Sequence, residues 1–333
     1  MVGLRAVTTD DTEAALEQLA DADRRTTAAR RMRVVVNPYA TTTSDRLKQL
    51  VVYALQGRFA VDVAETEHKE HATELAREAV EAGYDVVCAF GGDGTVYEVA
   101  NGLAGSPTVL TCLPGGATNV YHRMIGIPRD VVDATEHLLR LADDWHPRAF
   151  DIARVNDRWF TFAAGAGLDA SVVERVDSRP RLKARFGPLF YAQSATATFL
   201  RDYVRDPPVL LAEIDGAEYR GVTVAVQNTQ PYTYAGRRPV TLSEGATLSS
   251  GDLSGAVLER ANPLDLPTMA YRLLAANARV GDHRRVQAFD GVRGLRVRSA
   301  DGRTVPLQVD GDYIGAHAEA VFTVLAGGLQ VVG

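Results

Sequence analysis

The chain has 333 residues, a length that favours two domains over a single core. Hydrophobic residues make up 46% of it and charged residues 23%, a composition that excludes global disorder. The net charge of −6 argues against binding of nucleic acid through bulk positive charge, so we expect no nucleic-acid partner.

Two features of the chain bear on its location. Cys88 and Cys112 lie in short apolar runs, which predicts buried thiols in a reducing compartment. No apolar run reaches the ~20 residues that a membrane span needs, and no secretion signal opens the sequence. We therefore expect a cytoplasmic protein that meets membranes only transiently and at their surface. The basic and apolar stretch 179–185 is a candidate for that contact.

The pattern of apolar residues in the N-terminal half predicts alternating strands and helices. Residues 1–31 are polar and form an extension without a core pattern, and the run Met32–Val36 is the first predicted strand. There follow a helix capped by Ser44, a strand over 59–63, a helix over 70–82, and apolar strands over 86–90 and 109–113. Such alternation indicates a parallel sheet, in which functional groups gather at the carboxyl ends of the strands.

The pattern changes after Trp145 to short strands separated by turns such as Asp215-Gly216, with helical stretches near 189–204 and 266–278. We predict an α/β fold: an N-terminal, Rossmann-like parallel-sheet domain and a larger, mainly antiparallel β-rich domain. The predicted divisions are an extension 1–31, an α/β domain 32–147, a β-rich domain 148–318 and a C-terminal segment 319–333. Return of the last segment to the first domain is left open.

The run Gly91-Gly92-Asp93-Gly94-Thr95 joins a strand to a helix. Glycines let phosphate oxygens approach main-chain N–H groups, and a helix N-terminus favours anions. Thr95 and Glu98 have the spacing of a capping box. A carboxylate beside bound phosphate needs a cation or a transferable proton, so Asp93 is a candidate metal ligand or proton acceptor.

A second loop, Leu113 to Asn119, repeats the order of strand, glycines, hydroxyl and amide. Two such loops side by side predict a nucleotide cradle, although the sequence has no Walker A pattern. The run 165–170 matches a dinucleotide fingerprint but lacks its βαβ context, so we interpret it as a tight turn. Asp310-Gly311-Asp312 is either a β-turn or a catalytic pair of carboxylates.

These loops, in this order, resemble the diacylglycerol kinase catalytic-domain family, which includes bacterial lipid kinases, sphingosine kinases and ceramide kinases. The resemblance runs from about residue 33 to about 332. It rests on Asn37-Pro38, Thr66, the stretch 91–102, Ile127-Pro128, Asp151, the stretch 181–191, Tyr234-Ala235-Gly236 and Asp310-Gly311-Asp312.

The resemblance implies ATP bound between two domains, Mg²⁺, and transfer of the γ-phosphoryl group to the hydroxyl of a lipid at a membrane surface. It places Asp312 as the general base, with Asp93 assisting. Asp93 and Asp310 are the expected metal ligands. The nucleotide-binding residues are expected to be Asn37, Thr66, Gly91, Gly92, Asp93, Gly94, Thr95, Glu98, Gly115, Gly116, Thr118 and Asn119.

Several positions depart from the family pattern. Ala117 and Val120 replace a threonine and an aspartate of the second loop, Asp312 replaces a glutamate, and Ser250 replaces an aspartate that holds a structural metal in some bacterial members. These departures leave open a catalytically weak regulator that binds nucleotide or lipid. A second alternative is an enzyme like NAD kinase, which the run 91–95 also resembles. The sequence does not decide between a monomer and a homodimer, nor does it give the lipid.

Overall fold

The computed structural model describes residues 29–39, 44–116, 118–178, 208–235, 238–260, 262–265, 268–269, 271–272 and 279–333. These residues fall into two compact units. The first comprises the chain up to Ala149 together with Leu329–Gly333, and the second comprises Phe150–Gly328. The predicted helices near 189–204 and 266–278, the basic stretch 179–185 and residues 1–28 of the predicted extension 1–31 lie wholly or mostly outside the described residues. Arg30 and Arg31, the last residues of that extension, belong to the first strand instead.

The first unit alternates strands and helices. Its elements are β1 (Arg30–Val36), α1 (Asp45–Leu55), β2 (Phe59–Glu65), α2 (His71–Glu81), β3 (Val86–Gly91), α3 (Asp93–Leu103), β4 (Val109–Pro114), α4 (Val120–Met124) and α5 (Val131–Asp143). The strands pair in parallel in the order β2-β1-β3-β4. Ser44 caps α1 as predicted, since its Oγ accepts the Leu47 N–H at 3.3 Å.

The centre of this sheet is its most apolar part. Every residue of β3 and β4 is buried, Cys88 and Cys112 included, as expected for strands covered on both faces. In a parallel sheet all strands end at the same edge, so the turns after β3 and β4 are neighbours. Residue Val331 pairs in parallel with Leu110 of β4, and it thereby adds the end of the chain to this sheet.

The second unit is mainly antiparallel, as predicted. Its elements are β5 (Arg148–Val155), β6 (Arg158–Phe160), β7 (Ala163–Gly167), α6 (Leu168–Asp177), β8 (Leu210–Ile214), β9 (Ala217–Gly221), β10 (Thr223–Gln227), β11 (Thr233–Ala235), β12 (Arg238–Val240), β13 (Leu253–Leu258), a 3₁₀ turn (Pro263–Asp265), β14 (Val286–Val292), β15 (Gly294–Ser299), β16 (Val305–Val309), β17 (Asp312–His317) and β18 (Glu319–Val331). One sheet has the order β14-β13-β10-β7-β16-β17.

A second set of strands in this unit runs β9-β8-β15-β18, with β5 beside β18 and β6 beside β5. The fold class is therefore confirmed: a parallel α/β sheet and a separate antiparallel β-rich unit. None of the helices in the described part of the chain is long and apolar enough to cross a bilayer.

Candidate functional site

The first glycine loop joins β3 to α3. Gly92 has an extended backbone (φ −87°) and is the N-cap of α3, which begins at Asp93. A Cβ on Gly91 would lie 2.3 Å from Thr95 Oγ1, so this position has no room for a side chain. Since the first N–H groups of a helix have no partner within it, and the helix dipole is positive there, this turn favours an anion.

The second glycine loop touches the first. Gly115 N–H donates to the Gly91 carbonyl at 2.9 Å. A Cβ on Gly116 would lie only 2.7 Å from the Cα of Gly92, so the two loops meet main chain to main chain. The structure thus brings both predicted loops together, and we call Gly91–Gly94 with Gly115–Gly116 the glycine cradle.

Asn119 shapes the cradle from within. Its backbone is left-handed (φ 49°), its Nδ2 donates to the Gly116 carbonyl at 2.7 Å, and its Oδ1 accepts the Gly116 N–H at 3.1 Å. Both ends of the amide are thereby used inside the loop. The neighbouring Thr118 is exposed, and Ala117 lies outside the described residues.

Asp93 stands at the rim of the cradle and is half-buried. Its Oδ1 accepts the N–H of Tyr121, in the first turn of α4, at 3.1 Å. Within the part of the chain that the structure describes, this is the one hydrogen bond of its carboxylate. A carboxylate can accept about four hydrogen bonds, so Asp93 keeps acceptor capacity for a cation or a proton.

His122 is a neighbour of Asp93 that sequence reasoning missed. It is fully buried. Burial lowers the pKa of His122, and the Asp93 carboxylate opposes that shift. A lone histidine after a glycine loop gives no signal of its own, because its burial follows from the packing of α4.

Asn37 and Thr66 follow β1 and β2, at the same edge of the sheet as the cradle. Asn37 Nδ2 donates to Thr95 Oγ1 at 3.3 Å, and Asn37 Oδ1 accepts the Tyr39 N–H at 2.9 Å. Thr66 N–H donates to the Val36 carbonyl at 2.9 Å. The structure therefore joins Asn37 and Thr95 by a hydrogen bond and places Thr66 at this edge.

Glu98 does not form the predicted capping box. Its Oε1 accepts the Glu70 N–H at 3.0 Å and its Oε2 accepts the Ala72 N–H at 3.1 Å, so it caps α2, a helix whose own N-cap residue provides no side-chain bond. Burial raises the pKa of Glu98, and these two N–H groups oppose the rise. The capping-box prediction was wrong because the helix that needed an acceptor was α2. Glu98 was predicted to contact the nucleotide, and both of its carboxylate oxygens hold the start of α2.

The Asp310-Gly311 dipeptide is the turn of a two-residue hairpin between β16 and β17 in the second unit. Asp310 (φ 49°) and Gly311 (φ 87°) both have positive φ, as a type I′ turn requires. Asp312 is the first residue of β17 and pairs with Val309. The turn interpretation is correct, and it leaves the predicted role of Asp312 open.

The carboxylate of Asp310 is buried and fully engaged. It accepts the N–H and Oγ1–H of Thr161 at 2.6 and 2.8 Å, and the N–H groups of Phe162 and Ala163 at 3.0 Å each. Burial raises its pKa to about 6, and these donors oppose the rise. A cation would have to displace these buried N–H donors from the carboxylate, which argues against the predicted metal at Asp310.

Comparison with known proteins agrees with this architecture. The profile of the diacylglycerol kinase catalytic domain matches residues 31–155. The diacylglycerol kinase of Bacillus subtilis (strain 168) is 30% identical over 86% of this chain and 91% of that protein. A diacylglycerol kinase of Staphylococcus aureus (strain MRSA252) is 27% identical over 86% of this chain and 87% of its own length.

A solved structure, that of a putative diacylglycerol kinase from Bacillus anthracis str. Sterne, superposes with a TM-score of 0.72 at 21% identity, over 92% of this chain and 98% of that one. That structure shares the fold of this chain, and the profile match with the curated relatives places the chain in the class of lipid kinases. The chain belongs to the diacylglycerol kinase catalytic-domain family.

Proposed function

We propose that this protein transfers the γ-phosphoryl group of ATP to the hydroxyl of a lipid, diacylglycerol-like or sphingoid. The observation that carries the proposal is the glycine cradle: two glycine turns in main-chain contact, at the ends of adjacent parallel strands, with Asp93 at their rim. Phosphoryl transfer needs positioning and charge neutralisation more than covalent chemistry, and main-chain N–H groups at a helix N-terminus supply both.

Asp93 fits a divalent cation, since among the described residues a single N–H contacts its carboxylate and lone pairs remain for a metal. Magnesium, when bound, would offset the negative charge of the phosphate oxygens. The cradle would hold the nucleotide phosphates through N–H groups, and Asn37 would fix the Thr95 hydroxyl beside them. Asp312 would accept the proton of the lipid hydroxyl, in keeping with its place in the family pattern.

The lipid acceptor lies in a bilayer, so we propose that the protein works at the membrane surface. The proposal covers both glycerolipids and sphingoid bases as acceptors, because the shape of the substrate site rather than a sequence pattern selects the head group. Tests of activity must therefore offer both.

The experiment is a transfer assay with γ-labelled ATP and Mg²⁺. Detergent-dispersed diacylglycerol, monoacylglycerol, sphingosine and ceramide are the acceptors, and NAD is the soluble control. Label in one lipid is expected. Label in NAD instead would make the protein an NAD kinase, and bound ATP without transfer to any acceptor would indicate a regulator.

A further inference from the structure

The Gly165-Ala166-Gly167-Leu168-Asp169 run, interpreted above as a tight turn, carries a carboxylate that the proposed chemistry does not use. Asp169 is the second residue of α6. Its Oδ2 accepts the O–H of Tyr232 at 2.5 Å and the Nε2–H of Gln308 at 2.6 Å. Gln308 Nε2 also lies 3.0 Å from Tyr232 Oη, so the three groups close a triangle. We call Asp169, Tyr232 and Gln308 the polar triangle.

The glycines of this run make room for the triangle. A Cβ on Gly165 would lie 2.1 Å from Asp169 Oδ2 and 2.9 Å from Gln308 Nε2. The resemblance to a dinucleotide fingerprint therefore has a local cause: the glycine admits a carboxylate and an amide, and no phosphate is needed to explain it.

Gln308 connects the triangle to the hairpin turn. Its Oε1 accepts the N–H of Gly311 at 3.0 Å. Because Oε1 must face that N–H, Nε2 must face Asp169 and Tyr232, and the amide has one orientation that satisfies all its contacts. Gln308 is buried, so the loss of one of these partners would leave a buried polar group unpaired.

Gly311 immediately precedes Asp312, the residue to which the proposed function gives the role of base. Asp310, on the other side of Gly311, is held by its own four donors. The turn is thus held before Gly311 by the carboxylate of Asp310 and by its N–H, which donates to the Ala163 carbonyl at 2.7 Å, and it is held separately at the N–H of Gly311. The bond at the N–H of Gly311 depends on the orientation of the Gln308 amide, and the amide keeps that orientation only while its Nε2 faces acceptors in the polar triangle.

We propose that Asp169, Tyr232 and Gln308 are positioning residues, which set the place of Asp312 by holding the N–H of Gly311 through the amide of Gln308. The inference rests on the proposed function for the role of Asp312. The hydrogen bonds themselves are independent of it.

The test exchanges the carboxylate of Asp169 and the amide of Gln308 between the two positions. Gln308→Glu sets two carboxylates against each other, whereas the double variant Asp169→Asn with Gln308→Glu restores one carboxylate and one amide. A base displaced by 1 Å can cost about 100-fold, so we expect roughly that loss of kcat in Gln308→Glu. The KM for ATP is expected to stay unchanged, and the double variant is expected to recover most of the lost kcat.

A more conservative substitution tests the proposal if Gln308→Glu does not fold. Tyr232→Phe removes one O–H and keeps the ring, and we expect a fall in kcat of roughly 10-fold, the worth of about one hydrogen bond. Tyr219→Phe, at a half-buried tyrosine of β9, is the matched control and should keep full kcat. Full kcat in Tyr232→Phe, or a folded double variant no better than Gln308→Glu, would overturn the proposal.

Amide exchange separates this inference from the proposed function. Exchange of the Gly311 N–H is measured without substrate, and it should be slow in the wild-type protein, fast in Gln308→Glu and slow again in the double variant. If the wild-type protein phosphorylates no lipid, the proposed function fails while this pattern still supports the proposed role of Gln308. Equal exchange rates of the Gly311 N–H in all three proteins would contradict the proposed role of Gln308, whatever the activity.

Discussion

Two Asp-Gly pairs, Asp93-Gly94 and Asp310-Gly311, look alike in the sequence and differ in the structure. Asp93 begins a helix at a glycine cradle, is half-buried and accepts one N–H from the described part of the chain. Asp310 lies in a hairpin turn, is buried and accepts four hydrogen bonds. The first carboxylate has acceptor capacity left, and the second has none.

The difference teaches that hydrogen-bond saturation separates a carboxylate that holds the fold from one that can act on a ligand. A saturated carboxylate exchanges protein donors for a cation only at the cost of leaving those donors unpaired. An unsaturated one at a helix N-terminus lies where phosphate and a cation can meet. The comparison predicts that replacing Asp93 affects activity and that replacing Asp310 affects stability.

The largest effect is expected for Asp93→Asn. The amide oxygen can still accept the Tyr121 N–H, so the fold should persist, while the charge that would hold a cation is lost. We expect transfer from ATP to fall about 1,000-fold, at the upper end of what one electrostatic group contributes. Thermal melting together with the transfer assay checks this, and Asp133→Asn on the exposed side of α5 is the control. Normal turnover in Asp93→Asn would end the proposed role.

Asp312→Asn tests the proposed base, which directly follows the hairpin turn. The neutral side chain cannot take a proton from the lipid hydroxyl, and we expect turnover to fall roughly 100-fold, the lower range for general base catalysis. Binding of ATP, followed by calorimetry, should be retained. An unchanged rate would transfer the role of base to another group.

Asp310→Ala should act on stability instead. The N–H groups of Thr161, Phe162 and Ala163 would lose their acceptor, and a buried unpaired donor costs about 1–3 kcal/mol. We expect the free energy of unfolding in urea, measured below pH ~4 where the contribution of Asp310 is complete, to fall by roughly 2–3 kcal/mol, counting partial relaxation. Asp157→Ala, at an exposed turn, should change it little.

The pH dependence of stability gives a second check on Asp310. Its pKa of about 6 in the folded chain lies above the ordinary value of 3.8, so the folded state binds a proton that the unfolded state releases. The contribution of Asp310 is complete below pH ~4 and is lost as the pH rises through ~6, by at most about 3 kcal/mol. The stability difference between wild type and Asp310→Ala should therefore shrink over this interval, and a difference that grew would contradict the raised pKa.

The smallest effect is expected for Glu98→Ala. It removes the acceptor for two N–H groups at the start of α2, and loss of a helix cap costs about 1 kcal/mol. Glu74→Ala is the matched control, because Glu74 lies in the first turn of the same helix and is exposed. Equal unfolding free energies for the two variants would show that the cap contributes nothing.

Sequence patterns predicted the elements of the first unit well, because its strands and helices are encoded locally. Ser44 capped α1 as expected, and the apolar runs before both glycine loops are buried strands. The contact between the loops also followed from the sequence, since parallel strands end at one edge of a sheet.

Partners distant along the chain were not predictable in the same way. The N–H groups that Glu98 accepts lie 26 and 28 residues away, and the donors to Asp310 lie 147 to 149 residues away. No local pattern records which carboxylate such donors will reach. The signal that the sequence did carry was Gly165, whose missing side chain makes room for Asp169.

The main-chain contact between Gly92 and Gly116 bears on how this site tolerates change. A cradle built from peptide groups has almost no side chains to vary, so a survey of all substitutions should find these two glycines intolerant and the exposed Thr118 permissive. Val120 illustrates the point, since it packs as a buried residue of α4 where the family pattern has an acid. Compounds that compete for this cradle would meet peptide groups rather than side chains, and selectivity would have to come from outside it.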